Sequence, residues 1–384
     1  MTHVHEKDTT DQPIATRELP RWASTALITV FSAGLLGVWL IPGNAAGAQN
    51  REPVPYPSYS VSTAVDEATY KGIDAALRDR IGAQVMVSEA VGNMSKRALG
   101  KSPTPAVVIA DDGQPFFAED FVRPCRETEA TLDVVRAGLR EDQASLNAAG
   151  KYVLFMVAPD KSSIRRDVVA SISPDLLRCS DFVRSHFESW ETDGDLPLIT
   201  LWDDVAKLDE GPLNAYMFND THWNAAGSMA MSSALMRRLV VDQQVSESVL
   251  DDMEEPVFSE PTPYVTDLNS VMGVTDVNYR GTASFLRPGV TTVGETVVGP
   301  TGQMQLHYTS TSTTRALVPG KTLILGDSFM LTQMPTQLQN FFEDVTIADH
   351  HEFAQAGQFD RVIVERVQRY GATGDWPSLT STLK

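Results

Sequence analysis

The sequence predicts an α/β fold: a mainly parallel sheet covered by helices on both faces, preceded by one N-terminal transmembrane helix and interrupted by a β-rich insertion. Three observations carry the prediction. Short, nearly continuous apolar runs alternate with segments of helical period, the pattern of strands buried on both faces. Trp22–Ile41 is a run of 20 residues without a charge, long enough to cross a bilayer as a helix. Residues 245–320, rich in Thr, Val, Pro and Gly, do not follow the alternation.

Residues 1–21 are polar and read as a cytoplasmic tail. Arg17 and Arg21 precede the apolar run and the next basic residue is Arg51, so the positive-inside rule puts the N-terminus in the cytoplasm and the body outside, as a single-pass protein of the cell membrane. The alternative is a cleaved signal peptide and a secreted protein, because Asn44–Ala48 offers small residues for cleavage. Residues 42–64 contain four prolines and read as a linker. The rest, 65–384, is long enough to form one large core. The chain's net charge of −19 is carried almost wholly beyond residue 50. Such a surface repels nucleic acid and favours partners of little charge.

The domain opens with a helix marked by Tyr70, Ile73, Leu77 and Ile81. Ala106–Ala110 is a strand ending in the turn Asp111-Asp112-Gly113. Leu132, Val135, Leu139 and Leu146 define a helix that stops at Gly150. Tyr152–Ala158 is a strongly apolar strand broken by Pro159-Asp160-Lys161. A helix over 174–190, a strand over 198–202 and a helix over 225–241 follow. Within the insertion, Thr291–Val293 and Gln303–Tyr308 look like short strands, and the whole could form a lid or a groove wall. Lys321–Leu325 is a buried strand entered from Pro319-Gly320, with a helix over 331–342 and strands at 345–348 and 361–364 after it. Ligands in such sheets bind at the carboxyl ends of the strands.

Cys125 and Cys179 both fall on the predicted exported side, where thiols oxidise. A disulfide closing a loop of about 54 residues is predicted, with two free buried thiols as the alternative. Two cysteines leave no room for a thiolate zinc site.

Two motifs carry chemistry. Gly326-Asp327-Ser328-Phe329 ends a strand abruptly and starts a helix. There a serine hydroxyl is exposed, and its own N–H lies at a helix N-terminus. Read blandly, Gly326 makes the turn and Ser328 caps the helix. Asn219-Asp220-Thr221-His222-Trp223-Asn224 places Asp220 and His222 two apart, so that in an extended segment a carboxylate and an imidazole point the same way. Asn224 can cap the helix that follows. A metal reading of Asp220 and His222 lacks further ligands, since His186, His307, His350 and His351 have no metal-site spacing to them. Neither a metal nor a cofactor is expected.

Together the motifs resemble the alginate O-acetyltransferase family of the AlgJ/AlgX type. The likeness extends to Val107–Phe117, although Gln114-Pro115 stand where that family has Trp-Leu. It also takes in Ala158–Lys161 and Asp360–Tyr370 with Glu365 and Arg369, over about residues 65–375. The resemblance implies an SGNH-hydrolase-like, flavodoxin-like catalytic domain. It implies a triad of Ser328 as nucleophile, His222 as general base and Asp220 as the carboxylate that orients it. Asp327 is expected to form the turn. Trp223 and Lys161 are candidates for substrate contact, with a core tryptophan and a turn-capping lysine as the plainer readings, and Glu365 and Arg369 are expected to pair. The implied activity is O-acetyl transfer onto a cell-envelope polysaccharide or glycolipid, with a membrane-embedded partner protein supplying the acyl donor. An esterase or deacetylase with the same triad is the alternative enzyme, and a silent glycan-binding assembly module the alternative outside enzymes.

Overall fold

The computed structural model describes residues 66–382 apart from 81, 211–213 and 254–255, together with 25, 29, 32, 33, 53–58, 60 and 63. The chain forms two compact units, residues 1–87 and 88–384. In the first, helix α1 (Glu67–Arg78) starts at Asp66, whose carboxylate accepts the Ala68 N–H. Its buried side chains are Thr69 and Ala76, while Tyr70 is 53% exposed, so the apolar stripe is rotated by about one position from the one predicted. Among the described residues no helix is long and apolar enough to cross a membrane. This corrects the expectation of a single-pass membrane protein. The run Trp22–Ile41 lies outside the described residues except for Thr25, Thr29, Ser32 and Ala33, which do not make an apolar span.

The second unit opens with helical residues as far as Leu99 and continues with a hairpin of β1 (Val107–Ile109) and β2 (Pro115–Phe117), followed by the short α2 (Glu119–Val122) and the long α3 (Glu129–Ala148). Thr128 caps α3 and exchanges hydrogen bonds with Thr131, and the predicted Leu132, Val135, Leu139 and Leu146 form its buried face. Strand β3 (Tyr152–Ala158) leads into the turn helix α4 (Lys161–Ile164) and then α5 (Asp175–Asp193). Cys179 on α5 is disulfide-bonded to Cys125, which fastens the segment after α2 to that helix. Strand β4 (Leu198–Thr200), α6 (Trp202–Asp209) and α7 (Ala225–Val241) complete the first half.

Strand β11 (Val318–Gly326), helix α9 (Ser328–Leu338), β12 (Phe342–Asp349), β13 (Arg361–Val367) and α10 (Gln368–Ala372) build the second half. The central sheet runs in the order β4-β3-β13-β11-β12, followed by β10 (Met304–Ser312) and β9 (Val290–Val298). The first five strands are parallel. Strand β10 joins β12 antiparallel and β9 joins β10 antiparallel. The sheet is therefore mixed, and part of the predicted insertion belongs to it. All of β13 is buried, as are Val153–Ala158 of β3 and Thr322–Gly326 of β11, which is why these segments read as apolar runs. In contrast, β9 and β10 interleave threonine and serine with valine and leucine, as suits an antiparallel edge with water on one side.

The rest of residues 245–320 folds into two small ribbons, β5 (Pro256–Phe258) with β8 (Ala283–Phe285), and β6 (Thr262–Tyr264) with β7 (Asn278–Arg280). Helix α8 (Asp267–Met272) lies between β6 and β7 in the chain. It starts at Thr266 and stops at Gly273, which takes the left-handed conformation.

Candidate active site

At the carboxyl end of β11 the chain passes from Gly326 into α9 across the single residue Asp327. A Cβ on Gly326 would lie 2.3 Å from the Met330 Cβ and 2.9 Å from Glu365 Oε2, so only glycine fits. Asp327 caps α9: its Oδ1 accepts the Phe329 N–H at 2.9 Å and its Oδ2 accepts the Val367 N–H at 2.9 Å from the neighbouring strand β13. This is the turn-forming role predicted for it. Ser328, between buried Asp327 and buried Phe329, is exposed. It is the first residue of α9, where backbone N–H groups have no partner within the helix.

The histidine comes from the loop before α7. Tyr216 and Trp223 form a bridge, Met217 N–H donates to His222 O at 3.3 Å, and Asn224 N–H donates to Ala215 O at 2.9 Å. Asn224 caps α7 by accepting from Ala226 and Gly227 N–H, as predicted. The tight loop leaves Asp220 fully buried and His222 nearly so. His222 Nδ1 lies 2.6 Å from Asp220 Oδ1 and its Nε2 lies 2.8 Å from Ser328 Oγ. The carboxylate can only accept, so Nδ1 carries the ring proton in the neutral state and Nε2 is free to accept from the serine hydroxyl. The structure thus brings Asp220, His222 and Ser328 together in one hydrogen-bonded line.

Electrostatics hold that line polarised. Burial pushes the Asp220 carboxyl up, but hydrogen bonds and charge from His222 outweigh it and leave the carboxyl below its usual range. Burial pushes His222 down, and the Asp220 hydrogen bond together with the charges of Asp220 and Asp267 more than reverses this. Asp267, the first residue of α8, is the member that the spacing of the motifs does not reveal. Its N–H donates to Asp220 Oδ2 at 3.1 Å, its Oδ1 accepts the Thr221 N–H at 2.9 Å, and its Oδ2 lies 3.5 Å from His222 Nδ1. Burial and the Asp220 charge push its carboxyl up to about 6. An aspartate opening a helix after a threonine reads as local capping, and nothing in the sequence ties it to a histidine in another element.

Lys161 and Trp223, candidates for substrate contact, are both fully buried, so neither presents its side chain at the surface, and Trp223 takes the plainer place of a core tryptophan. Lys161 Nζ donates to the carbonyls of Phe218 at 2.6 Å, Asp220 at 3.1 Å and Pro115 at 3.1 Å. It pins the loop that carries Asp220 and His222, and burial pushes its ammonium down to about 7 despite the carboxylates nearby. Trp223 Nε1 donates to Phe329 O at 3.0 Å, and the Phe329 ring lies 4.9 Å from the His222 ring. Glu365 and Arg369 do not pair with each other. Arg369 binds Asp160 and lies 3.3 Å from Asp120, whereas Glu365 Oε2 accepts the Asp327 N–H at 3.2 Å. The side chains point apart because Glu365 belongs to β13 while Arg369 belongs to α10. Burial pushes the Glu365 carboxyl well above its usual range, and the Asp327 carboxylate adds to it.

Among the described residues two groups bring ligand atoms within 4.8 Å of one another: Asp220, His222 and Asp267, and Asp349, His350 and His351. In the first, both nitrogens of His222 are already engaged, so an ion there would have to displace Asp220 or Ser328.

Comparison with curated proteins finds no match. Among solved structures, Bacillus cereus PatB1 aligns over 69% of this chain and 96% of its own, with 11% identity and a TM-score of 0.50. PatB1 with a sulfonyl adduct aligns over 70% of this chain and 99% of its own, with 12% identity and a TM-score of 0.50. The O-acetyltransferase domain of Pseudomonas putida AlgJ covers 70% of this chain and 93% of its own, with 15% identity and a TM-score of 0.46. At the identities of the PatB1 pair the likeness is one of fold. Residues 107–345, more than half of the chain, match the family described as the SGNH hydrolase-like domain of acetyltransferase AlgX. The chain belongs to this family of SGNH-hydrolase-like acetyltransferases.

Proposed function

We propose that the chain transfers an acetyl group through an acyl-serine intermediate onto a hydroxyl of a cell-envelope polysaccharide or glycolipid. The observation that carries the reading is the contact of exposed Ser328 Oγ with His222 Nε2 at 2.8 Å, while Asp220 holds the other ring nitrogen at 2.6 Å. In the first half-reaction Ser328 Oγ attacks the donor's acetyl carbon and gives its proton to His222 Nε2. Collapse of the tetrahedral adduct breaks the bond to the donor's leaving oxygen, which takes that proton. In the second, His222 Nε2 takes the proton of an acceptor hydroxyl as its oxygen attacks the acyl carbon, and then returns it to Ser328 Oγ. Throughout, Asp220 keeps the ring in the tautomer that can do this. The Ser328 N–H, at the start of α9, is suited to one oxyanion contact. A partner protein would deliver the acyl donor.

The test is nitrophenol release from p-nitrophenyl acetate by the full chain, with Ser328→Ala and Asp220→Asn beside it. Loss of release in the first and a drop of roughly 10³–10⁴ in kcat in the second are expected. An acetyl mass should appear on the Ser328 peptide after rapid quenching. Equal release by Ser328→Ala of retained secondary structure would refute the assignment. Hydrolysis in place of transfer is told apart by whether added glycan hydroxyls gain acetyl groups.

A further inference from the structure

We infer that the groove between the catalytic loop and the small ribbons is the acceptor subsite, and that it takes a neutral stretch of glycan chain by stacking sugar rings on three exposed aromatic side chains. The inference rests on the transferase reading above. The groove is a cavity of about 470 Å³, within the range of sites that bind small ligands. One wall is the catalytic loop and the start of α7, and the other is formed by residues in and next to β5, β6 and β7.

Phe218, Phe258 and Tyr279 line it with exposures of 51%, 50% and 65%. Single exposed apolar residues need no explanation, but three aromatic rings converging on one cavity mark a binding surface. A pyranose presents a face of C–H groups that packs on such rings, while its hydroxyls seek hydrogen bonds at the rim. The rim supplies them. Asn219 Nδ2 donates to Asn278 Oδ1 at 3.1 Å across the two walls, and the Arg280 guanidinium is held flat over the Tyr264 ring at 3.8 Å.

Two further facts narrow the occupant. Among the described residues that line the groove none is acidic, in a chain whose net charge is −19. Among the described lining residues Arg280 is the single charged one, too little to select a polyanion. The position also fits the chemistry. Phe218, Asn219 and Asn224, which flank the segment carrying Asp220 and His222, line the groove, so a sugar there lies against the loop that holds the triad's two upstream members. Phe218 has its carbonyl pinned by Lys161 while the residue stays half exposed and lines the groove, so its backbone is held in place before any ligand arrives.

The test measures acetyl transfer by the full chain from p-nitrophenyl acetate to cellopentaose, xylopentaose and chitopentaose, detected as acetylated pentasaccharide by mass spectrometry. Transfer to at least one is expected. Phe258→Ala and Tyr279→Ala should each raise its KM by about tenfold with kcat little changed, and Tyr279→Phe, which keeps the ring, should restore the KM. Val293→Ala, exposed on β9 away from the groove, should leave it alone. Ser328-dependent nitrophenol release with no pentasaccharide acetylated would overturn the subsite and leave the triad standing. An unchanged KM in both alanine variants would do the same. Absence of Ser328-dependent release would overturn both readings.

Discussion

Replacing Asp267 with asparagine tests how the catalytic histidine is tuned. Asp267 Oδ2 lies 3.5 Å from His222 Nδ1. Coulomb's law gives such a pair about 1 kcal/mol at the dielectric of water and about 5 kcal/mol at an effective value of about 20. The Asp267 side chain is a quarter exposed, and its carboxyl titrates near 6, so it carries only part of its charge where the histidine is read. Both facts select the lower end, about 1.4 kcal/mol or one pH unit. The sign follows from the charge. The Asp267 carboxylate favours the imidazolium and raises His222, and only the neutral imidazole can take the Ser328 proton. Without that charge the ring stays neutral to lower pH, and the acid limb of kcat/KM moves down by about one unit. Asparagine keeps an acceptor for the Thr221 N–H, and the backbone donation to Asp220 does not depend on the side chain. The assay is nitrophenol release from p-nitrophenyl acetate at constant ionic strength from about pH 5 to about pH 8. An acid limb that stays put or moves up, in a variant with the parent's thermal midpoint, would refute the argument.

Lys161→Met removes the donor that three buried carbonyls share, and should cost about 3–5 kcal/mol of stability in denaturant unfolding. A variant as stable as the parent would mean that the loop holds itself. Replacing Cys125 and Cys179 with serine opens a link across 54 residues and should lower stability by about 4 kcal/mol on the chain-entropy account. Alkylation under denaturing, non-reducing conditions should leave the parent's mass unchanged.

What could be read from the sequence follows from what burial does to it. Strands β3, β11 and β13 lie in the middle of the sheet, with both faces covered, so their side chains are apolar in succession and the segments stand out. The short runs now seen as β9 and β10 were visible as strands, but Thr291, Thr292 and Ser310 say nothing about which edge they join, so the mixed character of the sheet was hidden. Asp220 and His222 were legible because two residues apart on one extended segment is a geometric statement in itself. Ser328 was legible because Gly326 leaves the turn no other shape. Asp267 was not, since its contact with His222 depends on how two ribbons fold back over the loop. For Lys161 and Trp223 the sequence leaves substrate contact and burial both open, because it does not tell whether a polar tip faces a ligand or a carbonyl. The predicted membrane span rested on hydropathy alone, and no helix among the described residues supports it.

The place of β13 has a consequence in time. It is the last of the described strands in the chain, yet it lies in the middle of the sheet, between β3 and β11. A ribosome making roughly 5–20 residues per second finishes Ser328 roughly 5–20 s after His222, given the 106 positions between them. Even then β11 has no neighbour on the β3 side until residues 361–367 emerge. The Val367 N–H that steadies Asp327 arrives with them. The turn that presents Ser328 is thus completed by a strand residue made 40 positions after Asp327.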